Sequence, residues 1–126
     1  MTDRAVKIPG PDHPITITPN PNRVVVTAGG VVIADTVRAL TLKEANYPPV
    51  QYIPREDARM DLLRRSQTQT YCPYKGEASY FSIPDGGEKA VDAVWTYEVP
   101  YPAVAGIRGH LAFYISRIDG IVESAP

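Results

Sequence analysis

A thiol and an amine, Cys72 and Lys75, lie within four residues of each other and are the strongest local indication of chemistry in the chain. With Pro73, Tyr74 and Gly76 they form a segment typical of a hairpin tip, where a rigid scaffold commonly displays reactive side chains. A thiolate beside a cation is a nucleophile, and a lysine amine in a dry pocket attacks a carbonyl or binds phosphate. The alternative interpretation is a buried apolar cysteine beside a solvated turn lysine.

The chain has two histidines, His13 and His110, and His110 is the candidate for proton transfer. His110 shares a predicted strand face with Ala112 and Tyr114, which makes it the candidate general base for Cys72. A structural histidine satisfied by a neighbouring hydrogen bond is the alternative, because no acidic residue stands at a spacing that would orient the ring. Two histidines and one cysteine give no zinc-binding spacing, so we expect no metal and no other cofactor.

The eight tyrosines and the single tryptophan indicate an aromatic surface within the predicted sheet. A phenol has an apolar body and a polar tip, which suits a pocket for planar or hydroxylated ligands. An arginine guanidinium adds recognition of a carboxylate or another anion, and Lys75 is expected at the mouth of the pocket. The candidate ligand-binding residues are Tyr52, Arg55, Trp95, Tyr97 and Tyr114. Ordinary packing of half-buried tyrosines on a sheet remains the alternative.

Proline is the compositional anomaly among the features that position these residues, with 13 of 126 residues. Each proline lacks a backbone donor and resists a helix interior or a central strand. Five prolines within the first 21 residues predict an extended N-terminal arm over residues 1–21, which either lies loose or pairs with a sheet edge or a second subunit. The remaining residues, 22–126, are enough for one β domain with its own hydrophobic core.

Strand-like runs alternate with turn residues through most of this domain. β-branched residues on both sides of Gly29-Gly30 predict a hairpin over 23–33, and a strand is expected over 37–42. A second hairpin is predicted over 68–83. Alternation places one face of a strand over 91–99 in the core, and a last strand follows over 110–115.

One helix interrupts this pattern. Residues 54–65 begin with a proline, carry carboxylates early and arginines late, and place Asp61 four residues before Arg65 for an ion pair. The sequence therefore predicts an all-β fold, a compact antiparallel sandwich or partly closed barrel with one short helix.

The charge balance limits the classes of partner. Lys+Arg 13 against Asp+Glu 14 gives a formal net charge of -1, which predicts no long-range attraction to nucleic acid or anionic lipid. No apolar run approaches the roughly 18 residues that cross a bilayer. The single cysteine rules out an internal disulfide, and the polar start of the chain lacks the apolar stretch of a secretory signal. We expect a cytoplasmic protein with no nucleic-acid or membrane partner.

Several short motifs follow one another along the chain, and the most distinctive are Ala34-Asp35-Thr36, Tyr52-Ile53-Pro54-Arg55-Glu56-Asp57, Cys72-Pro73-Tyr74-Lys75-Gly76, Trp95-Thr96-Tyr97 and Ala112-Phe113-Tyr114. This ordered set closely resembles the bacterial domain of unknown function 427 family over roughly residues 22 to 119. The resemblance implies a small, mostly β, cytosolic protein without an established activity. The family also carries the label nucleotidyltransferase-like. The chain has no paired-Asp motif on a predicted strand for the magnesium that nucleotidyl transfer uses.

Three functions remain open from the sequence. Our leading hypothesis is a binding module for a small anionic or nucleotide-like ligand in the aromatic pocket. The second is an enzyme acting on a nucleotide or a carbonyl, with Cys72 or Lys75 as nucleophile and His110 as proton carrier. The third is a scaffold that forms a homodimer through its arm. The first two require Lys75 to face the aromatic strands, and the second also requires the thiol and the imidazole in the same cavity.

Overall fold

The computed structural model describes residues 4–126, in which ten β-strands are joined by turns and short 3-10 helices. In chain order the strands are β1 (Ile15–Asn20), β2 (Arg23–Ala28), β3 (Val31–Thr36), β4 (Ala39–Glu44), β5 (Val50–Tyr52), β6 (Arg64–Cys72), β7 (Gly76–Ser82), β8 (Val94–Thr96), β9 (Leu111–Phe113) and β10 (Gly120–Ser124). Within this range, no helix has the length and apolar character needed to cross a membrane.

The strands form three antiparallel sheets. Two are three-stranded, with the orders β1-β4-β5 and β10-β2-β3, and the third is four-stranded, with the order β6-β7-β8-β9. In the described part of the chain none of these sheets closes into a barrel. The predicted all-β, antiparallel fold is therefore confirmed.

Hydrophobic packing covers both faces of the four-stranded sheet. Along β9, Leu111 and Phe113 belong to one cluster of buried residues, whereas Ala112 between them belongs to another. We call these clusters the first and the second core. The first core lies against the β10-β2-β3 sheet and contains Val24, Val26, Ile33, Phe81 and Val94. The second lies against the β1-β4-β5 sheet and contains Leu42, Tyr52, Ala78, Tyr80 and Tyr97.

Both predicted hairpins are present. β2 and β3 meet at Gly29 and Gly30, whose φ angles of 59° and 75° fit the two-residue turn that matches strand twist. β6 and β7 pair antiparallel, with Cys72 opposite Gly76, and the turn between them carries Lys75. Gly76 has a φ of 105°, a conformation that favours glycine, and a Cβ at this position would face the backbone of 99–101.

The continuous helix predicted over 54–65 is wrong. The segment contains two separate 3-10 helices, at 55–57 and 60–62, and β6 begins at Arg64. Ala58 between them is extended and bridges Ala34 of β3, while the Arg59 N–H donates to the Ile33 carbonyl at 2.8 Å. Backbone pairing with β3 thus replaces the helical hydrogen bonds, since a helix this short has little stability of its own.

The ion pair predicted within that helix, Asp61 with Arg65, is absent from the described structure. Asp61 instead accepts two hydrogen bonds from Arg59, and Arg65 donates to Glu98 at 2.6 Å. Because the backbone at these positions is not one helix, the spacing of four residues does not bring the two side chains together.

Part of the proline-rich arm is a strand. β1 pairs with β4 along its whole length, from Ile15 opposite Glu44 to Asn20 opposite Ala39, which is the sheet-edge alternative of the prediction. The first three residues of the arm lie outside the described range. Two short strands, β5 and β10, were not predicted, because three-residue and Gly-led segments carry little periodicity.

The strand predicted over 91–99 is shorter than the pattern indicates. β8 covers only Val94–Thr96, and the end residues Val91 and Val99 are exposed. On the opposite face Val94 and Thr96 are also buried, and Val94 belongs to the first core. Alternation along this strand therefore separates two cores rather than a core from solvent.

Candidate functional site

A cavity of about 320 Å³ opens between the β1-β4-β5 sheet and the four-stranded sheet. Its wall combines aromatic rings, hydroxyl groups and one pair of opposite charges. The lining residues are Leu42, Glu44, Tyr47, Pro48, Val50, Tyr52, Thr70, Lys75, Tyr80, Trp95, Tyr97 and Tyr114. A concave site with convergent polar groups is the first place to look for ligand binding.

Lys75 supplies the positive charge of this wall. Its Nζ donates a hydrogen bond to Oε1 of Glu44 and lies 6.0 Å from the centre of the Tyr97 ring. The hairpin turn sets this position, since the Lys75 N–H donates to the Cys72 carbonyl and the Lys75 carbonyl accepts from Tyr101. Lys75 is buried, unlike the other three lysines of the chain, which are exposed.

Glu44 connects Lys75 to the N-terminal arm. Its second carboxylate oxygen, Oε2, lies 2.7 Å from Nε2 of His13, and the His13 ring stacks on Tyr74 with ring centres 4.0 Å apart. The β1-β4 register explains this contact, because Ile15 stands opposite Glu44 and His13 precedes Ile15 by two residues. The exposed fraction of the side chain rises along this series, from 10% at Lys75 to 14% at Glu44 and 25% at His13.

The electrostatics of Glu44 follow from these contacts. Burial opposes ionisation of the carboxyl, but the hydrogen bonds from Lys75 and His13 together outweigh it, and the pKa of Glu44 lies below its ordinary value. Glu44 is therefore a carboxylate at neutral pH. The cavity thus holds one negative and one positive charge in direct contact.

Three hydroxyl groups, close to one another, also line the cavity. The Thr70 hydroxyl is 2.9 Å from the Tyr80 hydroxyl, which is 3.3 Å from the hydroxyl of Tyr114. Burial and the hydrogen bond with Tyr80 raise the pKa of Tyr114 to about 12, so its phenol is neutral at physiological pH. These hydroxyls can therefore both donate to and accept from a bound molecule.

Trp95 occupies the centre of the aromatic wall. Its ring centre is 4.5 Å from that of Tyr114, and its indole N–H donates to the Tyr52 hydroxyl at 3.1 Å. Burial raises the pKa of Tyr52 and of Tyr97 well above the ordinary range, which keeps both phenols neutral. The aromatic wall is therefore uncharged, and its polarity comes from fixed hydroxyl and indole dipoles.

The structure brings together most of the residues predicted to bind a ligand. Four of them line this cavity together with Lys75: Tyr52, Trp95, Tyr97 and Tyr114. Arg55 does not line it, since its guanidinium donates to the Gly109 carbonyl at 2.7 Å and to Glu98 at 3.0 Å. The Arg55 guanidinium is thus held by a backbone carbonyl and a carboxylate of the chain, outside the cavity wall.

The predicted group of thiol, amine and imidazole is not assembled around this cavity. Cys72 packs against the second core and is not part of the cavity wall. His110 is partly exposed beyond β8, and its Nδ1 lies 3.0 Å from the Arg108 carbonyl. Only Lys75 of the three reaches the cavity, because Cys72 ends a paired strand and His110 follows a separate turn.

The sequence-based reasoning missed Glu44, Thr70 and Tyr80 as parts of the site, and His13 as their neighbour. A signal for Glu44 was present, since Leu40, Leu42 and Glu44 alternate on one face of β4. Leu40 and Leu42 both pack in the second core, so the same face carries Glu44 to the cavity. The contacts of Glu44 with His13 and with Lys75 each span 31 positions, which no local pattern indicates.

Among the described residues, no group of three or more His, Cys, Asp or Glu side chains is placed to hold a metal ion. A family model described as a domain of unknown function, DUF427, matches residues 16–124, nearly the whole chain. None of the curated proteins matches the chain.

Proposed function

We propose that this chain, which belongs to the DUF427 family, binds a small anionic or nucleotide-like ligand in the cavity around Lys75 and Trp95. A planar ring of the ligand packs among the aromatic side chains, and an acceptor group of the ligand receives a hydrogen bond from Lys75. The volume of about 320 Å³ is at the lower end for small-molecule sites and suits a ring of nucleobase size.

The single observation that carries this proposal is the position of the buried Lys75 ammonium in the wall of an aromatic cavity. An ammonium has three N–H donors, and in the described structure Lys75 uses one of them, on Glu44. The two other donors can serve an acceptor group of a ligand. A carboxylate, a phosphate or a carbonyl oxygen has this chemistry.

The contact of Glu44 with His13 lowers the energetic cost of binding an anion at Lys75. An anionic group that approaches Lys75 competes with Glu44 for the ammonium. Because His13 also contacts the Glu44 carboxylate, Glu44 keeps a partner when Lys75 turns toward the ligand. The cost of losing a buried ion pair is thereby reduced.

The aromatic and hydroxyl groups favour a planar ligand with polar edges. Trp95 and Tyr114 offer ring surface, and the hydroxyls of Thr70, Tyr80 and Tyr114 offer donors and acceptors beside it. A nucleobase or a hydroxylated aromatic ring presents the complementary surface. Magnesium-dependent nucleotidyl transfer is less favoured, because Glu44 is the one carboxylate that lines this cavity.

We place this activity in the cytoplasm of a bacterial cell. Cys72 is a free thiol in the described structure, which fits a reducing compartment. The family resemblance is the basis for the bacterial assignment.

Trp95 gives a direct test, since it is the only tryptophan of the chain and lies in the cavity wall. The protein is titrated with nucleotides, nucleosides, sugars and aromatic carboxylates, and indole fluorescence and thermal stability are measured. A ligand at a hundred times its Kd adds about 2.7 kcal/mol of stability. We expect an anionic, planar ligand to change both signals together.

Matched lysine variants test the role of Lys75. Lys75→Met keeps the apolar stem and should weaken an anionic ligand about ten- to hundredfold, the value of a charged hydrogen bond. Lys89→Met removes an exposed lysine that does not line the cavity, and it should leave the affinity for the ligand unchanged. A flat response across the whole panel, or equal affinity in the two variants, would contradict the proposal.

A further inference from the structure

We propose that Lys75 forms a reversible imine with an aldehyde or ketone carbonyl of the bound ligand, with Glu44 as the group that transfers the protons. This inference rests on the proposed function, since the carbonyl must first enter the cavity. It narrows the ligand class to small carbonyl compounds with an anionic group or a planar ring.

The surroundings of Lys75 are those of a reactive amine rather than of a surface lysine. The side chain is buried in the cavity wall, its Nζ lies 6.0 Å from the centre of the Tyr97 ring, and its only hydrogen-bond partner in the described chain is Glu44. An adjacent general base is one of the means by which proteins activate a nucleophile, and Glu44 is in direct contact with Lys75. By contrast, Lys7, Lys43 and Lys89 are exposed.

Glu44 is placed to take the proton that blocks attack. An ammonium has no lone pair, so it must transfer a proton before its nitrogen can bond to carbon. Glu44 Oε1 accepts a hydrogen bond from this ammonium, while His13 lies at hydrogen-bonding distance from Oε2 and fixes the orientation of the carboxylate. The accepting oxygen is therefore already in contact with the proton that moves.

The step balances without an added reagent. Glu44 takes a proton from the ammonium, the nitrogen lone pair forms a bond to the carbonyl carbon, and the carbonyl π electrons move to oxygen, which receives the proton from Glu44. Glu44 then accepts a second proton from nitrogen and returns it to the hydroxyl, which leaves as water while the nitrogen lone pair forms C=N. An ammonium and a carbonyl thus give a protonated imine and one water, and Glu44 is again a carboxylate.

Reductive trapping tests this step on the full chain. The probe is 4-carboxybenzaldehyde, a planar anionic aldehyde, with sodium cyanoborohydride to reduce the imine to a stable amine. Intact mass and peptide mapping then locate the label on each lysine. We expect labelling at Lys75 first, loss of that label in Lys75→Arg, and unchanged labelling of Lys75 in Lys89→Arg.

The role of Glu44 has its own measurement. Glu44→Gln should slow trapping at Lys75 by about a hundredfold, the lower range of general acid–base catalysis, whereas Glu44→Asp should restore part of the rate. Circular dichroism of each variant confirms that the sheets are intact. A rate unchanged by Glu44→Gln would overturn the assignment of the proton transfers.

A ligand without a carbonyl separates this inference from the proposed function. The probe 4-(hydroxymethyl)benzoate has the same ring and carboxylate but forms no imine. If it changes Trp95 fluorescence while the aldehyde labels Lys75 no faster than Lys89, the imine is refuted and ligand binding stands. If neither compound binds, both the imine and the binding of this ligand class are refuted.

Discussion

Removing Glu44 should destabilise the protein more than removing Lys75, although the two side chains form one ion pair. In Glu44→Gln the buried Lys75 ammonium loses its only carboxylate partner within the described structure, and His13 loses its partner as well. In Lys75→Met the Glu44 carboxylate still has His13 beside it. Glu44 has two partners and the Lys75 ammonium has one, so the loss of Glu44 should cost more stability than the loss of Lys75.

The expected magnitude follows from burial. Removing one partner of a fully buried ion pair costs about 3–5 kcal/mol, and the slight exposure of both side chains lowers our expectation to about 2–3 kcal/mol for Glu44→Gln. Lys75→Met should cost about 1.5 kcal/mol, the lower value of a hydrogen bond between charged groups, because Glu44 keeps His13 as a partner. For a chain of this length the first change lowers Tm by about 10 °C.

The double variant tests whether the unpaired Lys75 charge causes the destabilisation. Glu44→Gln combined with Lys75→Met leaves no unpaired buried charge, so it should be more stable than Glu44→Gln alone. Thermal and urea unfolding followed by circular dichroism measure all four proteins. If Lys75→Met costs as much as Glu44→Gln, the proposed sharing of Glu44 with His13 is refuted. If the second substitution gives no recovery, the unpaired Lys75 charge is refuted as the cause of the destabilisation.

The pH dependence of the same comparison has a definite sign. The pKa of Glu44 is lowered in the folded state, because its hydrogen bonds with Lys75 and His13 outweigh the opposing effect of burial. A lowered pKa stabilises the fold above the ordinary glutamate pKa, and the stabilisation is lost as the pH falls through the folded-state pKa. The difference in free energy of unfolding between the parent and Glu44→Gln should therefore be largest near neutral pH and shrink in acid.

Three further predictions concern other parts of the structure. Gly29→Ala should destabilise the protein by more than about 2 kcal/mol in thermal unfolding. The left-handed conformation alone costs an alanine about 1–2 kcal/mol, and the added Cβ would lie 2.0 Å from the Asp85 carbonyl oxygen. Hydrogen bonds from the Thr36 hydroxyl and then from Arg38 lower the pKa of Asp57, so Thr36→Val should raise that pKa in an NMR titration and cost more stability at neutral pH than at about pH 2. Burial and the Tyr80 hydrogen bond raise the pKa of Tyr114 to about 12, and an ultraviolet titration of Tyr80→Phe should show it returning toward the ordinary value.

Each of these predictions has a control and a contrary outcome. Gly30→Ala shares a positive φ but meets open space, so equal costs at Gly29 and Gly30 would contradict the clash. A cost of Thr36→Val that is the same at both pH values would separate the hydroxyl from the Asp57 charge. An unchanged Tyr114 titration in Tyr80→Phe would assign the raised pKa to burial alone.

The hairpins were predictable because their information is local. β-branched runs around Gly29-Gly30 specify both the pairing and the positive φ angles of the turn, and the structure has both. The segment 54–65 has local helix signals, but residues 58 and 59 bond to β3 across more than twenty positions. A pairing at that distance decides the conformation and leaves no mark in the local pattern.

The candidate site was predictable only in its residue types. The aromatic residues and Lys75 were identified from composition and from the turn, and the sheets bring them to one wall. Their charge partner was missed because it comes from β4, 31 positions away. Cys72 and Lys75 are neighbours in the chain, yet paired strands and turns direct their side chains to different surroundings.

The four-stranded sheet also determines how the protein unfolds. Leu111, Ala112 and Phe113 form a strand of only three residues, yet they contribute to both hydrophobic clusters. Separating either three-stranded sheet from the four-stranded sheet would expose one face of β9 and remove hydrophobic packing on which the other strands also depend. The two clusters should therefore melt in a single transition, and the amide protons of β9 should exchange with solvent only when the whole molecule opens.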